Sequence, residues 1–343
     1  MAEGAIAKKK EVKWMGKYVL KRILLMIPVL LGVIFIVFAI NHFMPGDPVI
    51  SLLGNNYTQE QYDAKEAELG LDKPFMEQFF IYVKNVVTKL DLGTSYQTNR
   101  SVSDEILERF PVTMKIGVLG ILVTILVGVP FGIISATKQY SVLDYGVTVV
   151  SMFFASMPSF WMGLMAIIIF SYNLGWLPAS GMDTWKHFIL PVLTLGLSPV
   201  ATITRMTRSS MLDVIRQDYI RTARAKGLSE GLVIRRHALK NALIPVITVI
   251  GMQLGVIVAG SVVIEAIFAI NGTGSLLMTA INGKNYPVIQ GIVLFLSVSI
   301  SLMNLVVDLV YGFVDPRIMA QYSGGKKKKK VKAIAEKPAE EVA

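Results

Sequence analysis

The chain has 343 residues, 53% of them hydrophobic types and only 17% charged. Soluble domains carry about 25% charged residues, so this balance excludes an ordinary soluble enzyme. The 34 Lys+Arg against 24 Asp+Glu give a formal charge of +10, which suits a nucleic acid or a membrane surface, and the lack of cysteine excludes disulfides, thiolate metal sites and a cysteine nucleophile.

A helix needs about 20 mostly apolar residues to cross the hydrocarbon core. Six stretches meet or approach that length: 19–43, 112–136, 145–172, 188–211, 241–268 and 288–313. They predict an all-α polytopic membrane protein with six transmembrane helices. The first span follows a short segment, 1–18. Its apolar core exceeds the roughly 7–15 residues of a signal-peptide h-region, and no small-x-small cleavage site follows, so it reads as a retained signal-anchor.

The long segment 44–111 opens with Pro45-Gly46-Asp47-Pro48, a rigid turn. Two helical patterns follow. One, 58–69, is acidic. The other, 74–90, sets Phe75, Phe79, Tyr82, Val83, Val86 and Val87 on one face, and Pro74 suits its first turn. This extracytoplasmic cap is too small for a robust core of its own. It is expected to rest on the membrane domain or on a partner. The core then spans 112–313. Span four is its weakest pattern, because Pro191 and Pro199 each remove a backbone donor and free a carbonyl.

Between spans four and five lies 212–240. Residues 218–226 read as a short helix, and Gly227 suits the left-handed position at its end. Ser229 can cap a second helix through Val233, Ile234, His237 and Leu239, with Glu230 favourable at its N-terminus. Arg235, Arg236 and Lys240 line its polar side. The segment is too hydrophilic for lipid and too patterned for a loose loop. It reads as a connector or as a docking element for a soluble partner.

Basic residues set the orientation. Seven Lys/Arg fall in residues 1–22, nine in 205–240 and eight after Val314, against one each in the loops 173–187 and 269–287. Both termini are therefore expected in the cytoplasm. This topological bias absorbs most of the +10, and no folded basic domain with stacking aromatics suggests nucleic acid. Residues 326–330, all lysine, lie in a basic tail, 314–343, that could touch anionic lipid.

Several chemistries lack their residues. No G-x-x-x-x-G-K-[ST] loop occurs, and Gly16-Lys17 and Gly283-Lys284 lack the upstream glycine and the Ser/Thr. His42, His187 and His237 are scattered, with no H-E-x-x-H, so no metal site is read. No G-x-S-x-G elbow appears, and Ser198 precedes a proline with no base nearby. No catalytic or cofactor-binding residue is assigned. Glu265 and Asp308 are the acids nearest lipid depth, where a carboxylate is a functional hypothesis. Glu265, near the outer end of span five, could face a substrate cavity or serve a structural bond. Asp308 nears the inner end of span six, with the same two readings.

Together these stretches resemble the permease subunit of a binding-protein-dependent ABC importer, in the dipeptide/oligopeptide/nickel branch. Leu20-Lys21-Arg22-Ile23 through Pro28, with Leu31-Gly32-Val33 and Pro45-Gly46-Asp47-Pro48, matches the branch's opening span. Leu69-Gly70-Leu71-Asp72-Lys73-Pro74 and Asp91-Leu92-Gly93-Thr94-Ser95 match its outer loop. Pro158-Ser159-Phe160-Trp161-Met162-Gly163 and Leu174-Gly175-Trp176-Leu177-Pro178-Ala179-Ser180-Gly181 match its third span and exit. Asn285-Tyr286-Pro287-Val288 and Asp315-Pro316-Arg317 fit its end. The most specific match is Arg216-Gln217-Asp218-Tyr219-Ile220-Arg221-Thr222-Ala223-Arg224-Ala225-Lys226-Gly227-Leu228, which resembles the "EAA" loop. Arg221-Thr222-Ala223 stands for Glu-Ala-Ala, and His237-Ala238-Leu239-Lys240 stands where the general pattern has I-x-L-P. One departure is Asn271-Gly272-Thr273-Gly274, where the branch often has Pro-Gly-x-Gly.

The resemblance implies a type I ABC importer fold in the cytoplasmic membrane of a prokaryote, moving short peptides. It implies a second permease subunit, two ABC ATPase subunits carrying ATP and Mg, and an extracytoplasmic peptide-binding protein. It assigns ATPase coupling to Arg221, Thr222, Ala223, Arg224, Ala225, Lys226, Gly227, Leu228 and Ser229. Nickel or another small solute is the alternative cargo. Two rivals of other classes are a secondary transporter with Glu265 as proton carrier and a non-transporting scaffold or sensor.

Overall fold

The computed structural model describes residues 2–54 and 56–314, with side chains over 19–54 and 56–310. The expected basic tail from 315 onward, including Asp315-Pro316-Arg317, lies outside the described residues. Fourteen α-helices carry the fold among the described residues, and the β pairing there is a single bridge, Thr94 to Ser101. Helix α1 runs Ala2–Phe43. The cap follows as α2 Pro48–Leu53, α3 Gln59–Leu69 and α4 Phe75–Lys89. Next come α5 Val102–Thr137, α6 Val142–Ser156 and α7 Ser159–Ala166, the last running on as a π-helical stretch Ile167–Asn173. A 3₁₀ turn Trp185–Phe188 leads into α8 Ile189–Leu197 and α9 Val200–Ile215. Then α10 Asp218–Ala225 and α11 Glu230–Leu232 precede a π-helical stretch Val233–Ala238. The chain ends in α12 Leu239–Ile267, α13 Thr273–Asn282 and α14 Tyr286–Val314.

Four segments are long and apolar enough to cross a membrane: Val19–Phe43, Val102–Thr137, Glu230–Ile267 and Tyr286–Val310. Two bent pairs, Val142–Ser156 with Ser159–Asn173 and Trp185–Leu197 with Val200–Ile215, make six when each is one span. The bends differ from expectation. The third span turns by 99° and the fourth by 49°. Both bends fall at prolines. Met157, before Pro158, takes extended angles (φ −86°, ψ 129°), the conformation a following proline ring favours. Pro191 sits in the first turn of α8, where its missing donor costs nothing.

Other boundaries also shift. The second span starts at Val102, ten residues before the expected 112, so its first turns carry Asp104 and Glu105. Glu105 is buried there and accepts from the Thr98 hydroxyl. The second helix of 212–240 is not separate. It passes through the π-helical stretch into α12, so the helix that carries span five begins at Glu230. Ser229 holds the cap position with extended backbone, but its side chain makes no capping bond; its carbonyl instead accepts from the Leu232 and Val233 N–H. Pro74 is the residue before α4 rather than in its first turn. The short loop expected at 269–287 contains α13.

Tight packing centres on α5. A Cβ on Gly132 would overlap the Thr207 side chain and lie 2.7 Å from the Thr204 carbonyl. That close approach lets hydroxyls bond across the helices: Thr124 Oγ1 donates to the Gly196 carbonyl at 2.6 Å and Thr204 Oγ1 to the Gly128 carbonyl at 3.3 Å. The cap rests on α1. Phe75 and Phe79 meet Phe35 and Phe38 edge-to-face, with centroids 5.3–6.0 Å apart. Within the cap, Asp47 accepts from the Val49 N–H at 2.7 Å and from the Tyr62 hydroxyl at 2.6 Å, which ties α3 to the start of α2.

Candidate functional site

The segment 216–230 forms a bent hydrophilic knuckle below the helices. Its shape follows from two features. On α10, Ile220 and Ala223 face inward at a spacing of three, and both are buried. They pack with Ala136 of α5, Met211 of α9, Val233, Ile234 and Ala238 of the π-helical stretch, and Ala242 of α12. Gly227 then adopts φ +76°, a left-handed conformation costly for any residue with a Cβ. A Cβ there would meet nothing within 4 Å, so the need for glycine is conformational, not steric.

Across the bend, the Arg224 guanidinium donates twice to Glu230, Nε to Oε2 at 3.0 Å and Nη2 to Oε1 at 2.6 Å. This bidentate pair fixes the angle between α10 and the chain after the bend. It also raises the guanidinium's pKa above its ordinary value. Asn241 Nδ2 donates to the Tyr219 hydroxyl at 2.9 Å, a second tie to α12. Of the nine residues singled out from the sequence, Arg221, Thr222, Arg224, Ala225, Lys226, Gly227 and Ser229 are exposed, and Leu228 is half-buried. Ala223 faces the core and serves as anchor rather than surface.

The two membrane carboxylates lie apart from this segment and from each other. Glu265 has no solvent exposure. Its Oε2 accepts from the Gly274 N–H at 2.7 Å and the Ser275 N–H at 3.2 Å, so it sits on the N-terminus of α13. Beside it, Thr113 Oγ1 accepts from the Thr273 N–H at 2.9 Å. Asp308 meets Arg22 at 2.7 Å and joins α14 to α1. Glu265 thus holds one helix end in place, and Asp308 pairs two spans.

A further cluster was not anticipated. Asp144 is buried at the start of α6. It receives Arg208 Nη2 of α9 at 3.0 Å, the Tyr140 N–H at 2.9 Å and the Ser135 hydroxyl of α5. A sequence signal for it existed: Ser141 and Asp144 have capping-box spacing before an apolar run. The Ser141 hydroxyl does accept from the Asp144 N–H, at 3.3 Å. The cluster pins the turn 138–141 to α9.

Compared with known proteins, residues 128–320 match the family described as the binding-protein-dependent transport system inner membrane component. Residues 15–117 match the N-terminal family of such membrane components. The dipeptide transport system permease protein DppB of Alkalihalophilus pseudofirmus is 42% identical over 329 residues, covering 88% of this chain and 98% of that protein. The di/tripeptide transport system permease protein DppB of Pseudomonas aeruginosa is 41% identical, covering 90% and 100%. The glutathione transport system permease protein GsiC of Escherichia coli is 41% identical, covering 89% and 99%. Among solved structures, a chain of the MetNI methionine ABC transporter aligns with a TM-score of 0.54 at 18% identity, covering 61% of this chain and 96% of that one. At that identity the likeness speaks for the fold.

Proposed function

The chain belongs to the family of binding-protein-dependent transport system inner membrane components, and from that premise we propose that it is the permease subunit of an ATP-driven importer of short peptides. The membership makes it an integral membrane protein without an enzymatic role of its own. The peptide cargo rests on relatives whose names specify dipeptides, di/tripeptides and glutathione. In this reading a second permease completes the passage, two ATPase subunits bind ATP and Mg below, and a peptide-binding protein delivers cargo above. The membrane is the cytoplasmic membrane of a prokaryote, with both termini inside.

The observation that carries the mechanism is the knuckle at 216–230. Its exposed surface, Arg221, Thr222, Arg224, Ala225, Lys226 and Ser229, stands on buried anchors, Ile220 and Ala223. A ligand can drive a conformational change only through different affinity for two states. ATP would supply that difference by closing the ATPase pair. A knuckle docked in a groove of each ATPase would move with it. Because Ile220 and Ala223 share one buried cluster with residues of α5, α9 and α12, the displacement would pass to three spans as a rigid-body push. Gly227 and the Arg224–Glu230 pair keep the knuckle stiff enough to transmit it.

The proton-carrier alternative is disfavoured by the closure of Glu265 to solvent and by its Oε2, which accepts two backbone N–H groups at the start of α13. The test is uptake in cells lacking this chain. Radiolabelled dialanine accumulation should vanish on deletion and return with the wild-type chain, while nickel accumulation stays constant. Unchanged peptide uptake, or loss of nickel uptake alone, would overturn the assignment.

A further inference from the structure

Away from the knuckle, the cap frames an open cavity of about 430 Å³ between α2, α3, α4 and the adjoining ends of α1 and α14. Pockets of roughly 300–1,000 Å³ with aromatic walls and a few polar groups are the usual form of small-molecule sites. Each wall helix offers one face. Helix α3 offers Tyr62 and Glu66, four apart, α4 offers Tyr82, and α1 offers Asn41; Tyr96 and Tyr286 close the remaining side.

The polar groups are unequally occupied. Asn41 is 3% exposed, yet its Nδ2 has no hydrogen-bond partner, and the buried Tyr82 hydroxyl has none either. Buried donors left unpaired cost about 1–3 kcal/mol each, so they call for an acceptor from outside the chain. Two carboxylates line the cavity. Asp47 is saturated by the Val49 and Ile50 N–H groups and the Tyr62 hydroxyl. The Glu66 side chain makes no hydrogen bond or ion pair among the described residues. Lys73, the lining lysine, is engaged by Glu77 at 3.4 Å. The cavity therefore combines an unpaired carboxylate, four tyrosine rings and two orphaned donors in its lining. A carboxylate among ring faces selects an ammonium group. Orphaned amide and phenol donors select carbonyl or carboxylate oxygens. Both features occur together at the amino end of a peptide.

We propose that the cap cavity binds the amino-terminal end of a short peptide, its α-ammonium on Glu66 among the tyrosine rings and its first carbonyl oxygens on Asn41 Nδ2 and the Tyr82 hydroxyl. The permease would then hold a substrate site of its own on the outer face. This rests on the peptide reading above.

The test uses the full chain, purified into lipid nanodiscs without other subunits, with dialanine, trialanine and N-acetyl-dialanine as probes in equilibrium dialysis. Dialanine or trialanine should bind saturably. Glu66→Gln, and N-acetylation of the probe, should each weaken binding by at least about tenfold, as loss of a charged partner does. Tyr82→Phe, which removes a single hydroxyl, should weaken it about fivefold. The melting temperature of Glu66→Gln should match the wild type, and that of Tyr82→Phe should equal or exceed it, since that variant removes an unpaired buried donor. Absence of saturable binding, or binding insensitive to both Glu66→Gln and N-acetylation, overturns the proposal. Cellular dialanine uptake separates the two readings. Uptake that depends on the chain, alongside no cap binding, sinks the cavity assignment alone; uptake that does not depend on it sinks the peptide function.

Discussion

At residue 265 a carboxylate persists without solvent because the first N–H groups of α13 point at it. The first N–H groups of any helix have no partner within the helix, and an acid there answers both the orphaned donors and the helix dipole. The neighbouring glycines follow from the close packing of α13 on α12. A Cβ on Gly272 would overlap the carboxylate, and one on Gly274 would lie 2.4 Å from Val262 Cα and 2.9 Å from Glu265 Oε2. So Asn271-Gly272-Thr273-Gly274 can lose the turn proline common in the branch but keeps the two glycines that admit Glu265. Glu265→Leu should destabilise the protein by about 1–3 kcal/mol per orphaned N–H, and Glu265→Gln by less, since an acceptor remains. Thermal denaturation in detergent, with hydrogen exchange at 273–282, reads both; equal losses for the two variants would contradict this account. In the cap, Tyr62 offers a pH test. Its bond to Asp47 pushes the phenol pKa up to about 12. The neutral donor is the form that the fold favours, so this contribution is complete below about pH 10 and fades as pH rises through the folded value. Alkaline difference absorbance between wild type and Tyr62→Phe should show this tyrosinate forming near 12; formation near the free value of about 10 would show that the bond does not form.

Among the elements, the knuckle was legible in the sequence because its signals are local. A glycine at a helix end and paired inward apolar residues need no knowledge of the rest of the fold. The spans were legible in length for a similar reason: α1, α12 and α14 each hold a long run without charge, 23–43, 241–264 and 286–307. Their interruptions were less so. The run 145–182 is uniformly uncharged, so it reads as one apolar length, and Pro158 is the one local signal of the 99° turn. Helix α13 was hidden because its anchors are a buried acid in another helix and Thr113 in a third. Asp144 was overlooked beside an apolar run, although its partner Arg208 is a charge within a span. The knuckle yields the prediction that belongs to this scale. Gly227→Pro forces φ to about −65° where the chain holds +76°, so the bend cannot form. The protein should still insert, because the spans do not change, yet peptide uptake and peptide-stimulated ATPase activity should collapse. Gly227→Asn, which tolerates the left-handed conformation, should retain most of both. Normal uptake by Gly227→Pro would remove the knuckle from the mechanism.

Over the whole molecule, the loops sort into two ends. The cap and the α13 loop lie together: Lys284 Nζ donates to the Pro45 carbonyl at 2.7 Å, and Asn285 Nδ2 to Ser95 Oγ at 2.8 Å. The loop after the third span joins them, since the Gly181 N–H donates to the Phe268 carbonyl at 3.0 Å. The turn at 138–141, the knuckle and the Arg22–Asp308 pair belong to the opposite end. Six crossings with the bent pairs counted as spans return the chain to the end where it began, so one orientation decides every loop. The charge bias decides the orientation: the knuckle end holds nine Lys/Arg in 205–240 alone, while the short loops of the cap end hold one each, Lys186 and Lys284. Lys/Arg-rich short loops stay on the cytoplasmic side. The long cap segment is acidic, with eleven Asp/Glu to six Lys/Arg in 44–111, and its length frees it from the rule. The prediction is direct, because the chain contains no cysteine to give background labelling. Asn56→Cys, exposed in the cap, should react with a membrane-impermeant maleimide in intact cells. Ala225→Cys, exposed on the knuckle, should react only after the membrane is opened. The reverse pattern would place the knuckle outside, away from any cytoplasmic ATPase, and would overturn both the topology and the coupling mechanism built on it.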